Sequence, residues 1–338
     1  MSTRSATPQK GAASRRLIAV VLLVPLLAAL ALWAFAWPAA RTAPRDLPLG
    51  VAGPAAATAQ VEQQLDRHEG AFDVHRYADE AAAREAIEDR TVYGAVVVTP
   101  QGPELLTASA ASPAVAQLLQ QAVAQQAAAE GTQVKTVDVV PAPKNDPRGA
   151  GLTSSVLPLA LAGMAAGAAV TLLGLRGVRA VGALVGVAIL IGLVAASIAH
   201  SWLGVLTGGW WAEAGVFALT TLAVSGAVAG LAALVGTAGI GIMAATIMLI
   251  GNPFSGAASA PQMLPEPVGA IGQWLPPGAG TTLLRSVSFF DGSAAIGPAL
   301  TLTWWAALGL GAVLLGNALK ARATSAEPAP ERELATAG

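Results

Sequence analysis

The sequence predicts an α-helical polytopic membrane protein of six transmembrane helices, with one extracytoplasmic α/β domain between the first and second spans. Three observations carry that expectation. The 338 residues are 54% apolar and 12% charged, against about a quarter charged in an average soluble domain. The apolar residues gather in runs that reach the roughly 20 residues a bilayer crossing needs. The acids gather elsewhere: 14 of the 20 lie in residues 38–150.

Residues 1–16 read as a cytoplasmic tail, with Arg4, Lys10, Arg15 and Arg16 and no acid. Residues 17–37, LIAVVLLVPLLAALALWAFAW, form an uncharged first span. A signal peptide is the rival reading, because Ala39 and Ala40 follow a basic start. The run exceeds the usual apolar core of about 7 to 15 residues, which favours an uncleaved anchor. The positive-inside bias then puts residue 38 outside.

Residues 38–150 form the extracytoplasmic domain, framed by the Pro-rich linkers PAARTAPRDLP and PAPKNDPRG. LPLGVAG reads as a strand, TAQVEQQLDRHEG as a helix, FDVHRYA as an alternating strand, and DEAAAREAIEDR as a capped helix. VYGAVVVTP is a buried strand, PAVAQLLQQAVAQQAAAEG a long helix stopped by Gly131, and QVKTVDVV a last strand. Strands alternating with helices imply a small α/β domain. Nine basic residues against 14 acidic exclude a basic nucleic-acid footprint, so no nucleic-acid partner is expected.

Residues 151–319 are expected to hold five more spans. The second, about 154–175, ends at Arg176 and Arg179, and residues 180–200 return to His200 and Trp202. No charge occurs from Ala214 to Pro265, which suits two spans reversing near residues 236–239. The last span, about 297–319, ends at Lys320 and Arg322, and residues 320–338 read as a disordered cytoplasmic tail. With six crossings Arg4, Lys10, Arg15, Arg16, Arg176, Arg179, Lys320 and Arg322 all lie inside, as the bias requires, in a cytoplasmic membrane with both termini cytoplasmic. The eight tryptophans fall toward predicted outer ends. Gly163 with Gly167, Gly182 with Gly186, and Gly226 with Gly230 allow close helix packing, read as packing within one subunit.

Residues 252–292 interrupt this pattern. A helix cannot pass smoothly through Pro253, Pro261, Pro265, Pro267, Pro276 and Pro277, so the stretch is expected as short re-entrant pieces, tolerated at membrane depth only where protein or a wet cavity satisfies the backbone. The candidate gate residues are Asn252, Pro253, Gly256, Pro276, Pro277, Gly278, Arg285 and Asp291, with Glu213 and Glu266 as further ionisable residues near the outer boundary. Charges at depth are costly and often functional, but near a boundary they can snorkel to water as anchors, and the anchor reading is preferred.

No phosphate-cradling GxxxxGK[ST] occurs, so any ATP-driven cycle needs a separate subunit. His68, His75 and His200 show no ligand spacing, cysteine is absent, and no nucleophile–base arrangement is legible. No cofactor, metal or catalytic residue is expected, and an intramembrane enzyme is disfavoured.

The layout resembles the ABC-2-type membrane proteins, particularly the phage-infection-protein-like branch and its actinobacterial relatives. LPLGVAG, EAIEDRTVYGAVVVTP, VVPAPKNDPRG leading to LPLALAG, NPFSGAASAPQMLP and LPPGAGTTLLRSVSFFDG carry the likeness. The resemblance implies external re-entrant helices before the last span and a homodimeric permease driven by a partner ATPase. The chain departs from that pattern in its short Ser/Ala/Gly-rich start, where an elbow helix would lie, and in the brief LRGVR turn, where a coupling helix would lie. The function expected is an ABC-2-like permease exporting a hydrophobic or envelope-related solute, with the lipid bilayer, a second copy and a separate ATPase as partners. The alternative is a non-transporting envelope scaffold acting through its external domain.

Overall fold

The computed structural model describes residues 10–100, 102–131 and 133–326. The expected tail residues 1–9 and 327–338 lie outside the described residues. The chain begins with α1 (Lys10–Ala40), followed by β1 (Leu47–Ala52), α2 (Ala55–Asp66), β2 (Phe72–Tyr77), α3 (Glu80–Glu88), β3 (Gly94–Thr99), β4 (Gly102–Thr107), α4 (Pro113–Glu130) and β5 (Lys135–Asp138). The helical block comprises α5 (Ala150–Leu172), α6 (Gly177–Ala196) with a π-helical turn at Ser197–Trp202, α7 (Trp210–Val235) and α8 (Ala238–Thr246), which continues as a π-helical turn at Ile247–Gly251. A 3-10 turn at Pro261–Met263, α9 (Val268–Gln273), α10 (Pro276–Phe289) and α11 (Ile296–Ala326) complete it.

Residues 47–138 form a five-stranded sheet of order β2-β1-β3-β4-β5. β1 runs parallel to β2 and β3, β3 and β4 form an antiparallel hairpin, and β4 runs parallel to β5. Local chemistry sets the helices between them. Asp79 caps α3 by accepting from Ala82 N–H, Ser112 caps α4 by accepting from Val115 N–H, and Gly131 ends α4 in the left-handed conformation that costs glycine nothing. One sheet face buries Ala95, Val97 and Leu106 against Ala83 and Ile87 of α3. The other buries Leu47, Leu49 and Leu105 against Val115 and Leu119 of α4, with Leu65 of α2 beside them. β4 was not expected. It carries Gly102 and Pro103, residue types depleted in strands, and a buried Glu104 whose charge is met by Lys135 Nζ at 3.1 Å.

Among the described residues, five helices are long and apolar enough to cross a membrane: Leu17–Ala40, Ala150–Leu172, Gly177–Trp202, Trp210–Val235 and Ile296–Arg322. The chain does reverse at Gly236 and Thr237, but the returning apolar helix Ala238–Gly251 is shorter. Fourteen residues rise about 21 Å, less than the roughly 30 Å hydrocarbon layer. Residues 320–326, expected as tail, continue α11. In the same way α1 is already helical at Lys10, inside the stretch expected as a tail.

The mast of the block is α7, with Phe217, Ala223, Val224 and Val228 buried. Small residues let its neighbours approach. A Cβ on Gly167 of α5 would stand 2.6 Å from Ser225 O, one on Gly192 of α6 2.5 Å from Ala214 O, and one on Gly309 of α11 2.6 Å from Gly226 O. Gly163, Gly167 and Gly230 thus pack within the chain as expected, whereas Gly182 and Gly186 meet no described residue. α1 stands apart, buried mainly near its C-terminal end, where Trp37 packs against Phe254, Leu264 and Val268.

Candidate functional site

Residues 252–292 fold as the prolines dictate, into a turn, a 3-10 turn and the hairpin of α9 and α10. Pro276 and Pro277 occupy the first turn of α10, where a missing N–H forfeits no helical bond. The pieces are pressed backbone to backbone. A Cβ on Gly272 would lie 1.7 Å from Phe254 O, and one on Gly278 2.2 Å from Gly272 O. Gly256 adopts φ +67° and faces the Pro261 backbone, a turn that a side chain would strain.

Side chains then tie the hairpin. Arg285 is buried on α10, and its Nη2 donates to Ala257 O at 2.6 Å; Thr153 Oγ1 of α5 donates to the same carbonyl at 3.0 Å. Gln273 Nε2 donates to Ser255 O at 3.0 Å while its Oε1 accepts from Thr282 Oγ1 at 2.6 Å. At the tip, Trp305 Nε1 of α11 donates to Trp274 O at 2.8 Å.

The sheet domain grips this hairpin. Arg90 Nη1 donates to Thr282 O at 3.0 Å and to Ser286 Oγ, and its guanidinium lies 5.3 Å from the centre of the Phe290 ring. Tyr93 OH donates to Gln262 Oε1 at 2.9 Å, and Met263 O accepts from Ala43 N–H and Arg45 Nη1. Burial holds the Arg90 guanidinium below its ordinary value, with Tyr93 opposing. Burial pushes the Tyr93 phenol up, against the pull of the Arg90 and Arg285 charges. Among the described residues, neither guanidinium has a carboxylate within ion-pair distance.

The expected boundary anchors behave differently from one another. Glu266 and Asp291 are exposed. Glu213 and Arg285 are buried within the protein: Arg285 is 5% exposed and Glu213 0%. Glu213 Oε2 meets His200 Nδ1 at 2.8 Å and Oε1 accepts from Gly208 N–H at 2.9 Å. Its place in the first turn of α7 also sets the carboxylate against the positive end of that helix. Asn252 donates from Nδ2 to Met248 Sδ at 3.3 Å, and the Pro277 ring packs against the Gly251 backbone beside it. Pro253 lies in the turn that follows. The structure therefore gathers Gly256, Pro276, Pro277, Gly278 and Arg285, leaves Glu266 and Asp291 at the surface, and gives Glu213 a separate pair with His200. Arg90, Tyr93, Gln262 and Gln273 carry no local sequence signal. Only the fold shows them converging on the hairpin.

Below the hairpin tip lies a groove of about 1,020 Å³. Ala227, Leu231 and Leu234 of α7 line it, with Met243 of α8 on one side, Trp304 and Leu308 of α11 on another, and Trp274 at its head. Among the described residues, no charged side chain lines it. On the block's opposite end, Arg176, Asn317 and Lys320 border a cavity of about 220 Å³. No group of three or more His, Asp or Glu that could hold a metal occurs among the described residues.

A family model described as ABC-2 family transporter protein matches residues 15–175, a segment that takes in most of α1, the whole sheet domain and α5. The chain is similar to that family over this segment. No curated protein matches the chain, and no solved structure does. The match and the apolar helices together describe a multi-pass membrane protein with an ABC-2 transporter-type segment.

Proposed function

We propose that the chain is the permease component of an ABC-2-type exporter in a bacterial cytoplasmic membrane, working as a homodimer with a separate ATPase and moving a hydrophobic or envelope-related solute outward. The phage-infection-protein-like layout is the branch it fits. The observation that carries the reading is the uncharged groove headed by the tip of a re-entrant hairpin. In this reading an apolar solute lies along α7 and α11 there, and movement of the hairpin opens or closes the way beyond Trp274. Arg176, Arg179, Lys320 and Arg322 at the end away from the sheet domain support an extracytoplasmic domain and cytoplasmic termini. In this reading the Ala238–Gly251 helix and the turn after it make the short fifth crossing of six.

Affinity purification of the chain from native membranes, paired with a deletion strain loaded with a neutral lipophilic dye, tests the proposal. An ATPase should co-purify, and the deletion strain should retain more dye. Leu308→Trp, which narrows the groove, should reproduce the retention. No ATPase and unchanged dye efflux would overturn the reading.

A second reading, an envelope scaffold acting through the external domain, draws on the brevity of the turns at Leu173–Arg176 and Gly236–Thr237, which leave little chain for an ATPase to hold. Deleting residues 45–145 separates the two. A scaffold loses all function, whereas a permease keeps leak or dye binding in the groove.

A further inference from the structure

The sheet domain carries an opening of its own, on the face away from α3. There α2 and α4 lie over the sheet without closing on one another. Val61 and Leu65 stand four residues apart on α2, and Leu119, Val123 and Ala127 do so on α4, so each helix turns one apolar stripe to the gap. Val96, Val98 and Leu105 of the sheet form the floor. The cavity measures about 560 Å³, within the roughly 300–1,000 Å³ of sites that hold small organic ligands. Apolar walls of this extent facing water forgo the stabilisation that burial would bring.

The chemistry of the lining narrows the occupant. Among the described residues no charged side chain borders the cavity, and the polar groups there are Gln60, Gln64, Gln126 and His68, all at the exposed rim. The carboxamides of Gln60 and Gln64 can donate and accept there, and none of these four groups carries a fixed charge. Pro44, just beyond α1, borders the same opening, and the apolar cluster beneath it continues into Ala260 and Met263 of the segment joining the membrane helices. The cavity's apolar walls thus run on, through Leu49, Leu105 and Leu119, into the segment between α8 and α9.

We propose that the sheet domain binds the hydrocarbon chain of a lipid with an uncharged, hydrogen-bonding head, the chain lying between α2 and α4 and the head at the carboxamide rim. This assignment rests on the domain's own walls and stands whether or not the helical block transports anything.

The full chain in lipid nanodiscs, exposed to a long-chain monoacylglycerol bearing a diazirine in its tail and then irradiated, provides the test. Adducts should map to residues 57–65 and 119–127 and should be displaced by excess unlabelled monoacylglycerol but not by glycerol. Val61→Trp and Ala122→Trp fill the cavity from opposite sides, and each should cut the adduct yield about tenfold, as expected when the ligand's volume is taken. Gln120→Trp, on the exposed side of α4, should leave it unchanged. If the tryptophan variants do not fold, displacement by the unlabelled lipid decides. Adducts elsewhere, or adducts on these helices that unlabelled lipid fails to displace, would overturn the proposal. So would a bifunctional reagent joining α2 to α4 between two chains with no lipid adduct, since a second copy would then fill the cavity.

Discussion

Arg90 of the sheet domain donates to the carbonyl oxygen of Thr282 on α10 across a gap of 192 residues in sequence, at 3.0 Å. Arg90 also holds φ at +61°, so this contact is made from a left-handed backbone that glycine would adopt more cheaply. Two effects therefore separate by substitution. Arg90→Ala loses the charged hydrogen bonds, about 1.5–3 kcal/mol for one such bond, and keeps the strained backbone. Arg90→Gly loses the same bonds but relieves about 1 kcal/mol of strain. Thermal unfolding of the purified protein should rank wild type above Arg90→Gly, and Arg90→Gly above Arg90→Ala. The reverse order of the two variants would show that the backbone stores no strain there.

Glycine should divide into two kinds. Gly272→Ala drives a methyl into Phe254 O and should collapse the hairpin's packing, with a loss of about 3 kcal/mol or more, beyond the usual overpacking range. Gly182→Ala meets no described atom and should be neutral or stabilising by about 0.5–1 kcal/mol through helix propensity. Limited proteolysis within residues 252–292 measures the first, and apparent Tm the second.

The buried Glu213 should tolerate loss of charge better than loss of its oxygen atoms. Glu213→Gln keeps an acceptor for Gly208 N–H, whereas Glu213→Ala orphans both that donor and His200. Removing one partner of a buried pair costs about 3–5 kcal/mol, discounted here because the His200 side chain is 29% exposed. A double-mutant cycle with His200→Ala should return a coupling above about 0.5 kcal/mol. Strict additivity would mean the pair is incidental.

Arg285→Ala should impair stability and dye efflux more than Arg322→Ala. The former removes a buried donor from Ala257 O, whereas Arg322 is exposed near the end of α11. An exposed substitution of that kind usually stays within about 0.5 kcal/mol. Equal effects in both assays would undo the distinction.

Much of this fold is legible because period and punctuation agree. Asp79, Ser112 and Gly131 mark helix ends in the sequence and do so in the structure. β4 escapes notice because it offers no clean alternation: its buried Glu104 is neutralised by a lysine on a strand that lies beside it only after folding. The charge-free run from Ala214 to Pro265 reveals the reversal at Gly236, but charge alone cannot say that the returning helix is short. Arg285 stands out as a lone cation among prolines. Its acceptor is a backbone carbonyl, which no side-chain pattern announces. Nor does a tryptophan's residue type say that Trp305 will turn its N–H toward the hairpin instead of a headgroup.

That last bond fastens the hairpin tip to α11, which runs unbroken from Ile296 to Ala326 and carries Lys320 and Arg322 toward its other end. A single stiff rod thus joins the two faces of the helical block. A nudge applied at its basic foot would reach Trp274 through one hydrogen bond, whereas the sheet domain, through Arg90, holds α10, the other arm of the same hairpin.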